Sequence, residues 1–368
     1  MLLCIMIVNI MNLRAPYGKY TIPLSIFQGN AQMKAMVLDG TAGLDNLRLT
    51  DRPEPRPRRQ EVVLRVKASS LNYRDLEIVR GSYHTRFALP LVPLSDGVGE
   101  VVAVGEGVTR VKVGDRVCST FWQRWMAGGF EMAEPSYQLG GPIDGMLAEY
   151  ACLDEQAVTR APARLSDAEA ATLPCAGVTA WHALISEGHL RPGETVLALG
   201  TGGVSLFALQ FARAAGARVI ITSSRDEKIE RAKNLGAWAG VNYRRHPDWA
   251  QQVLELTEGR GADHILEVGG PESFALSLRA ACRGGQINVI GYLGGTEGAV
   301  NPLDIFRRQV RVRGIPVGSR ASFEAMNRAI EVNGLRPVID REFAWTEAGE
   351  ALRRLESGAH FGKIVLRH

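Results

Sequence analysis

The stretch "TVLALGTGGVSLFALQFARAAGA" (195–217) constrains this chain more than any other. An apolar strand pattern runs straight into three glycines, at 200, 202 and 203, and a helical pattern follows with Val204, Phe207, Ala208, Phe211 and Ala215 on one face. Gly200 can make the tight turn, and Gly202 lets backbone approach a pyrophosphate. The helix start, Gly203 and Val204, then offers free N–H groups and a favourable dipole. Where the usual fingerprint has a third spaced glycine, Ser205 is small enough for close helix–strand packing. The flanking pattern strengthens this reading. Strands at "RVIIT", "GVNY", "DHILEV" and "QINVI" alternate with helical stretches at "RDEKIERAKNLGA", "PDWAQQVLELT" and "PESFALSLRAAC". Such alternation predicts parallel βαβ units with helices on both faces, a doubly wound α/β sheet. A tight turn that holds no ligand is the alternative.

The end of the second strand distinguishes the dinucleotides. A carboxylate there suits NAD, because it accepts hydrogen bonds from the ribose. This chain has "TSSRDEK" instead. Ser223, Ser224, Arg225 and Lys228 suit a 2′-phosphate through charge-assisted bonds, so NADP(H) is expected. Asp226 and Glu227 read as first-turn helix residues favoured by the macrodipole. The other reading makes Arg225 and Lys228 ordinary surface charges of that helix.

At 368 residues the chain is long enough for two domains. Residues 33–160 read as β-rich, with runs such as "EVVLRVKAS", "GVGEVVAVG" and "DRVCS" separated by Gly, Pro and Asp. A nucleotide-binding unit is expected over 161–314. Its first stretch, "ARLSDAEAATLPCAGVTAWHALI", has helical character and a capping box at Ser166 and Glu169. The tail, 315–368, departs from the alternation and is expected to pack back on the first domain. Residues 1–32 are read as a poorly packed extension or an early start. Their apolar run of about ten residues falls short of the ~20 that span a bilayer and carries only a weak signal-peptide pattern.

Basic and acidic residues nearly balance, 43 against 39, and form no basic stripe, so neither nucleic acid nor membrane is an expected partner. Five scattered cysteines without a C-x-x-C pair argue against a disulfide framework and suit a reducing, cytoplasmic setting.

Taken together, "SLNYRD" (70–75), "GEVVAVGEGVTRVKVGDRV" (99–117), "LPCAGVTAW" (173–181) and the glycine turn resemble the medium-chain dehydrogenase/reductase superfamily. More narrowly, they are similar to its zinc-independent alcohol dehydrogenase and quinone reductase branch, and the resemblance spans 33–368. It implies a GroES-like β domain, a Rossmann domain, and a C-terminal segment returning to the first. Metal-bearing members hold a catalytic zinc at positions matched here by Asn72, Ser95 and Cys175, with Asp96 where a glutamate stands. One soft ligand beside an amide and a hydroxyl is a poor zinc set, although Asp96 could add an oxygen. Only Cys118 lies in the segment that carries the structural-zinc cysteines of those relatives, so no metal is expected.

The resemblance also nominates residues for the cofactor. Thr179 would line the nicotinamide, Tyr243 would stand near the adenosine phosphate, and the turn Gly291, Tyr292 and Leu293 would meet the nicotinamide. Ser319 and Lys363 match further cofactor-side positions. Relatives commonly form homodimers through the Rossmann sheet edge. His360 reads as a surface or packing residue.

Hydride delivered to a carbonyl leaves an alkoxide that a metal or a proton donor must stabilise. A quinone or an α,β-unsaturated carbonyl instead spreads the charge and needs only a hydrogen-bond donor. Asn72, Tyr83 and Thr179 are the candidate donors. Tyr83 reads equally as a packing residue, Asp75 as structural, and Arg74 is unassigned. The expected function is zinc-independent, NADPH-dependent reduction of a quinone or enone. The alternatives are a zinc-independent alcohol or aldehyde dehydrogenase and a nucleotide-binding sensor without turnover. A nucleophilic Cys175 would need a base, and only His182 is near in sequence. Cys175 is therefore read as a neutral packed thiol. The aromatic insertion at 119–145 either lines a hydrophobic substrate cleft or caps the domain.

Overall fold

The computed structural model describes residues 31–40 and 43–368. The extension expected at 1–32 lies outside them, apart from its last two residues. Strands β1 (Gln32–Leu38) and β2 (Leu47–Pro53) form an antiparallel hairpin. They are followed by β3 (Glu61–Ser70), α1 (Tyr73–Arg80), β4 (Asp96–Val104), β5 (Arg116–Ser119), β6 (Tyr150–Asp154) and β7 (Val158–Arg160). Short helices α2 (Asp167–Ala170) and α3 (Val178–Trp181) lead into the alternating part. It comprises β8 (Thr195–Ala198), α4 (Gly203–Ala214), β9 (Arg218–Ser223), α5 (Asp226–Asn234), β10 (Ala239–Asn242) and α6 (Trp249–Leu256). Then come β11 (Ala262–Glu267), α7 (Pro271–Ala280), β12 (Ala281–Val289), α8 (Pro302–Arg308) and β13 (Arg311–Gly314). The tail supplies α9 (Arg320–Asn333), β14 (Ile339–Ala344), α10 (Ala348–Glu356) and β15 (Lys363–Arg367).

The alternating segment folds as its pattern predicts. Six parallel strands lie in the order β10-β9-β8-β11-β12-β13. The first strand, β8, sits at the centre and is buried throughout, so it reads as an unbroken apolar run. The order reverses between β8 and β11, and a ligand binds outside the carboxyl ends of strands at such a switch point. The glycine turn follows β8 and faces that crevice.

The second sheet is mainly antiparallel, in the order β14-β15-β3-β4-β5-β7. The tail does return to it: β15 pairs with β3, placing Val365 opposite Ser70, and β3 pairs with β4, placing Ser70 opposite Asp96. Chain segments distant in sequence therefore meet where β3 ends. Lys363 at the start of β15, Asn72 just beyond β3, and Asp96 opening β4 are brought to one place.

The helical expectation at 163–185 holds only in part. Its capping box is present, with Ser166 N–H donating to Glu169 Oε2 at 2.8 Å and Glu169 N–H to Ser166 Oγ at 3.2 Å. Beyond it the chain widens into π-type turns at Leu173–Gly177 and His182–Ser186. Pro174 has no N–H for an α-helical ladder, and the widened turn leaves Cys175 N–H free to bond elsewhere. The 119–145 insertion buries Phe121, Trp122 and Trp125, and joins the main core. Trp122 Nε1 donates to Pro316 O at 2.6 Å, tying the insertion to the start of the tail.

Candidate active site

The three glycines of the turn do different work. Gly200 adopts φ 77°, a left-handed conformation that favours glycine, and a Cβ there would meet nothing within 4 Å. At Gly202 a Cβ would meet only His360 Nε2, at 4.0 Å. That face of the turn is open. Gly203 is the close approach, where a Cβ would lie 2.5 Å from Lys363 Cδ. Ser205 is buried and donates to Leu199 O at 2.6 Å, so the small residue closes the helix onto the strand. Val204 is the second residue of α4, beside the turn, and packs against the main core.

Ser223, Ser224, Arg225 and Tyr243 gather at the carboxyl ends of β9 and β10. Ser223 Oγ accepts from Arg225 N–H at 3.3 Å, and Ser223 O from Tyr243 N–H at 3.1 Å. The Arg225 guanidinium is exposed and 3.5 Å from Glu227, and Tyr243 is exposed. Lys228 is not in this group. Its ammonium is turned to the C-terminal loop and donates to Gly358 O at 2.9 Å and His360 O at 2.8 Å. Sequence reasoning passed over Arg244 and Arg245, on the same turn as Tyr243. The signal was the run "NYRR"; Arg245 pairs with Asp226, while Arg244 is exposed.

On the opposite side of the crevice, the turn after β12 is held by Gly291 N–H to Glu267 O at 3.2 Å and Leu293 N–H to Val268 O at 3.0 Å. Tyr292 crosses to the other sheet's domain. Its hydroxyl lies 3.2 Å from Glu77 Oε2 and 3.2 Å from His84 Nδ1. Burial raises the Tyr292 hydroxyl above its ordinary pKa, with Glu77 adding to the shift, and burial likewise raises the Glu77 carboxyl. Thr179 is buried on α3. Ser319 caps α9, its hydroxyl accepting from Ser322 N–H at 3.2 Å, so that side chain is committed to the helix end.

Where β15, β3 and β4 converge, a buried polar cluster forms. Lys363 Nζ donates to Asn72 Oδ1 at 2.6 Å and to Leu71 O, and stands 3.9 Å from Asp96 Oδ2. Asp96 also accepts from Ser95 Oγ at 2.7 Å and from the freed Cys175 N–H at 3.1 Å. Burial raises the Asp96 carboxyl, and Lys363, Asn72, Ser95 and Cys175 oppose the rise. An ammonium only donates, so the Asn72 oxygen must face Lys363, and Nδ2 is left as the donor. That nitrogen is close enough to Asp96 to favour the ionised carboxyl, yet it makes no well-formed hydrogen bond and is buried.

Asp75 accepts from Asn72 N–H at 2.7 Å and lies 3.7 Å from Arg74. Burial pushes its carboxyl up to about 6 despite that guanidinium. Arg74 is a structural clamp, donating to Leu139 O at 2.9 Å and Gly141 O at 2.8 Å and lying over the rings of Tyr83 and Phe121. Tyr83 donates to Gln138 Oε1 at 3.0 Å, so its hydroxyl is already engaged with protein. Burial, then Asp96, drives the Cys175 thiol far above the ordinary range. His182, the one base near it in sequence, has Nδ1 3.2 Å from Ser322 Oγ and is held neutral by burial. Among the described residues, no three His, Cys, Asp or Glu side chains gather as a metal-holding group.

A parallel sheet with a glycine turn at its switch point, joined through a buried polar seam to a β domain, is the arrangement of a dinucleotide-dependent oxidoreductase. Residues 58–163 match the alcohol dehydrogenase GroES-like domain family, and residues 203–331 match the zinc-binding dehydrogenase family. A zinc-type alcohol dehydrogenase-like protein of Schizosaccharomyces pombe is 42% identical, over 91% of this chain and 99% of its own length. The human quinone oxidoreductase is 28% identical, over 92% of this chain and 98% of its own. A solved structure of a putative alcohol dehydrogenase from Sinorhizobium meliloti superposes with TM-score 0.85 at 44% identity, covering 92% of this chain and 99% of that one. The chain belongs to the medium-chain dehydrogenase/reductase superfamily and is an oxidoreductase acting on small molecules.

Proposed function

We propose that this protein is a zinc-independent, NADPH-dependent reductase of quinones or α,β-unsaturated carbonyls. The observation that carries the reading is the Lys363 ammonium, seated on Asn72 and beside Asp96, among the residues at the family's metal position.

That donor set does not fit zinc. The Asn72 oxygen is taken by Lys363, and the Ser95 hydroxyl donates to Asp96. Cys175 is the one soft ligand of the set, where a catalytic zinc takes about three protein ligands. A second cation there would also meet the ammonium across a buried, weakly screened distance.

The glycine turn does fit a dinucleotide, with an open face at Gly200 and Gly202 and N–H groups at the start of α4. Ser223, Ser224, Arg225, Tyr243 and the exposed Arg244 support a 2′-phosphate site, and no carboxylate stands at the end of β9 to accept the ribose hydroxyls. When bound, a reduced nicotinamide supplies hydride. Lys363 fixes the Asn72 carboxamide, and Asn72 Nδ2, with buried Thr179, provides donors for the developing oxyanion. A delocalised oxyanion demands less of such donors than an alkoxide does. Tyr83 is proposed as a wall residue, because Arg74 and Gln138 hold it.

A zinc-independent alcohol dehydrogenase is the second reading, supported by the names of the relatives. A panel of 1,4-quinones, enones and aldehydes run with NADPH and NADH, and of alcohols run with NADP+ and NAD+, tests the two. Consumption of NADPH by quinones or enones supports the first, and oxidation of simple alcohols alone overturns it.

We further propose a homodimer through the edge strand β13, which is exposed along its length and flanked by Phe306, 77% exposed. Sedimentation at micromolar concentration tests this: a species of two chains supports it, and a single chain overturns it. A cytoplasmic setting is supported by the four described cysteines, all unpaired. Among the described residues no helix is long and apolar enough to cross a membrane.

A further inference from the structure

The loop between α10 and β15 lies directly on the glycine turn. Gly362 N–H donates to Thr201 O at 3.0 Å, and Gly362 pairs with Gly202 as an isolated parallel bridge. Its path leaves no latitude: Gly362 has φ 91°, and a Cβ there would lie 2.3 Å from Val338 O. Two side chains of α5 strap the loop down. Lys228 donates to Gly358 O and His360 O, and the Arg231 guanidinium lies 4.0 Å from the centre of the Phe361 ring. On the other side, Phe361 N–H donates to Asp340 Oδ1 at 3.0 Å. Burying a lysine to hold two carbonyls is costly, and the second carbonyl fixes the residue that carries it.

That residue is His360, whose Nε2 reaches the open face of Gly202 and makes no hydrogen bond to protein. Its Nδ1 is buried without a partner. An N–H stranded there would cost more than a bare ring nitrogen, so the proton belongs on Nε2. Burial, with Lys228, Lys363 and Arg354 nearby and only Asp340 opposing, holds the ring neutral. His360 thus offers a neutral N–H beside the N–H groups of the helix start, where an anion is favoured.

We propose that His360 is a ligand of the dinucleotide pyrophosphate, its Nε2–H completing the donor set of the glycine turn from the C-terminal loop. Lys228 is the positioning residue that holds the loop in place. The inference rests on the dinucleotide reading above. The test is calorimetric binding of NADP+, NAD+ and adenosine 2′-monophosphate, which lacks the pyrophosphate, to wild type, His360→Ala and His360→Gln. His360→Ala should weaken the dinucleotide by about tenfold or more, the loss of a hydrogen bond to a charged group. The monophosphate should be unchanged, and His360→Gln, which keeps an N–H donor, should recover part of the loss. Equal weakening of dinucleotide and monophosphate, or none of either, overturns the proposal. A wild type that binds NAD+ but not NADP+ overturns the 2′-phosphate reading instead, and His360 is then judged on NAD+ alone.

Discussion

Replacing Lys363 with methionine removes the ammonium but keeps a stem to pack against Gly203. Asp96 is fully buried, and Lys363 is 4% exposed. Loss of one partner from such a pair strands the other charge, at a cost of about 3–5 kcal/mol. The pH dependence has a definite sign. The Asp96 carboxyl is raised in the folded state by burial, so its ionisation opposes folding. The opposition is absent below the unfolded value of about 4 and grows as pH rises through the folded value. Without Lys363 the folded value climbs further. Urea unfolding of Lys363→Met should therefore show a deficit that is smallest at acid pH and grows towards the full cost as pH rises. Adding Asp96→Asn should restore most of the loss, because a neutral amide oxygen can still accept from Cys175 N–H. A deficit under about 1 kcal/mol, or a double variant less stable than the single, would refute the view that Lys363 is the cation of this cluster.

Three further outcomes are expected. Asp75, raised to about 6 when folded against about 4 when unfolded, should cost about 3 kcal/mol as pH rises through that window, and Asp75→Asn should flatten that slope in urea unfolding. Arg225→Glu should lower kcat/KM for NADPH by about 10–100-fold and leave NADH unharmed, since a charge-assisted bond is exchanged for repulsion. Tyr292→Phe should raise amide exchange at 291–295 by about tenfold, because the hydroxyl's bonds to Glu77 and His84 join that turn to the opposite domain.

The alternating half was legible because its signals are local. Apolar strands, the glycine turn and helix periodicity each lie within a few residues, and the sheet order follows from right-handed crossovers. The return of the tail was legible only as a break in that alternation. The β3 register that brings Lys363 to Asn72 and Asp96 depends on contacts nearly three hundred residues apart, which no window of sequence reports. The family resemblance puts Lys363 on the cofactor side, whereas its ammonium is turned into the polar cluster. Lys228 illustrates the same limit at shorter range. It lies in the first turn of α5, two positions after Asp226, where its long stem can reach toward the end of β9 or away from it. The carbonyls of Gly358 and His360, more than a hundred residues further along the chain, decide which way it turns.

The most direct test is turnover by protein whose metal content is known. After dialysis against a strong chelator, zinc is quantified by mass spectrometry, and NADPH consumption is followed with a 1,4-quinone and an enone. The account predicts zinc far below one per chain and a rate that the chelator does not change. One tightly held zinc per chain, with activity lost on its removal and restored on its return, would contradict it.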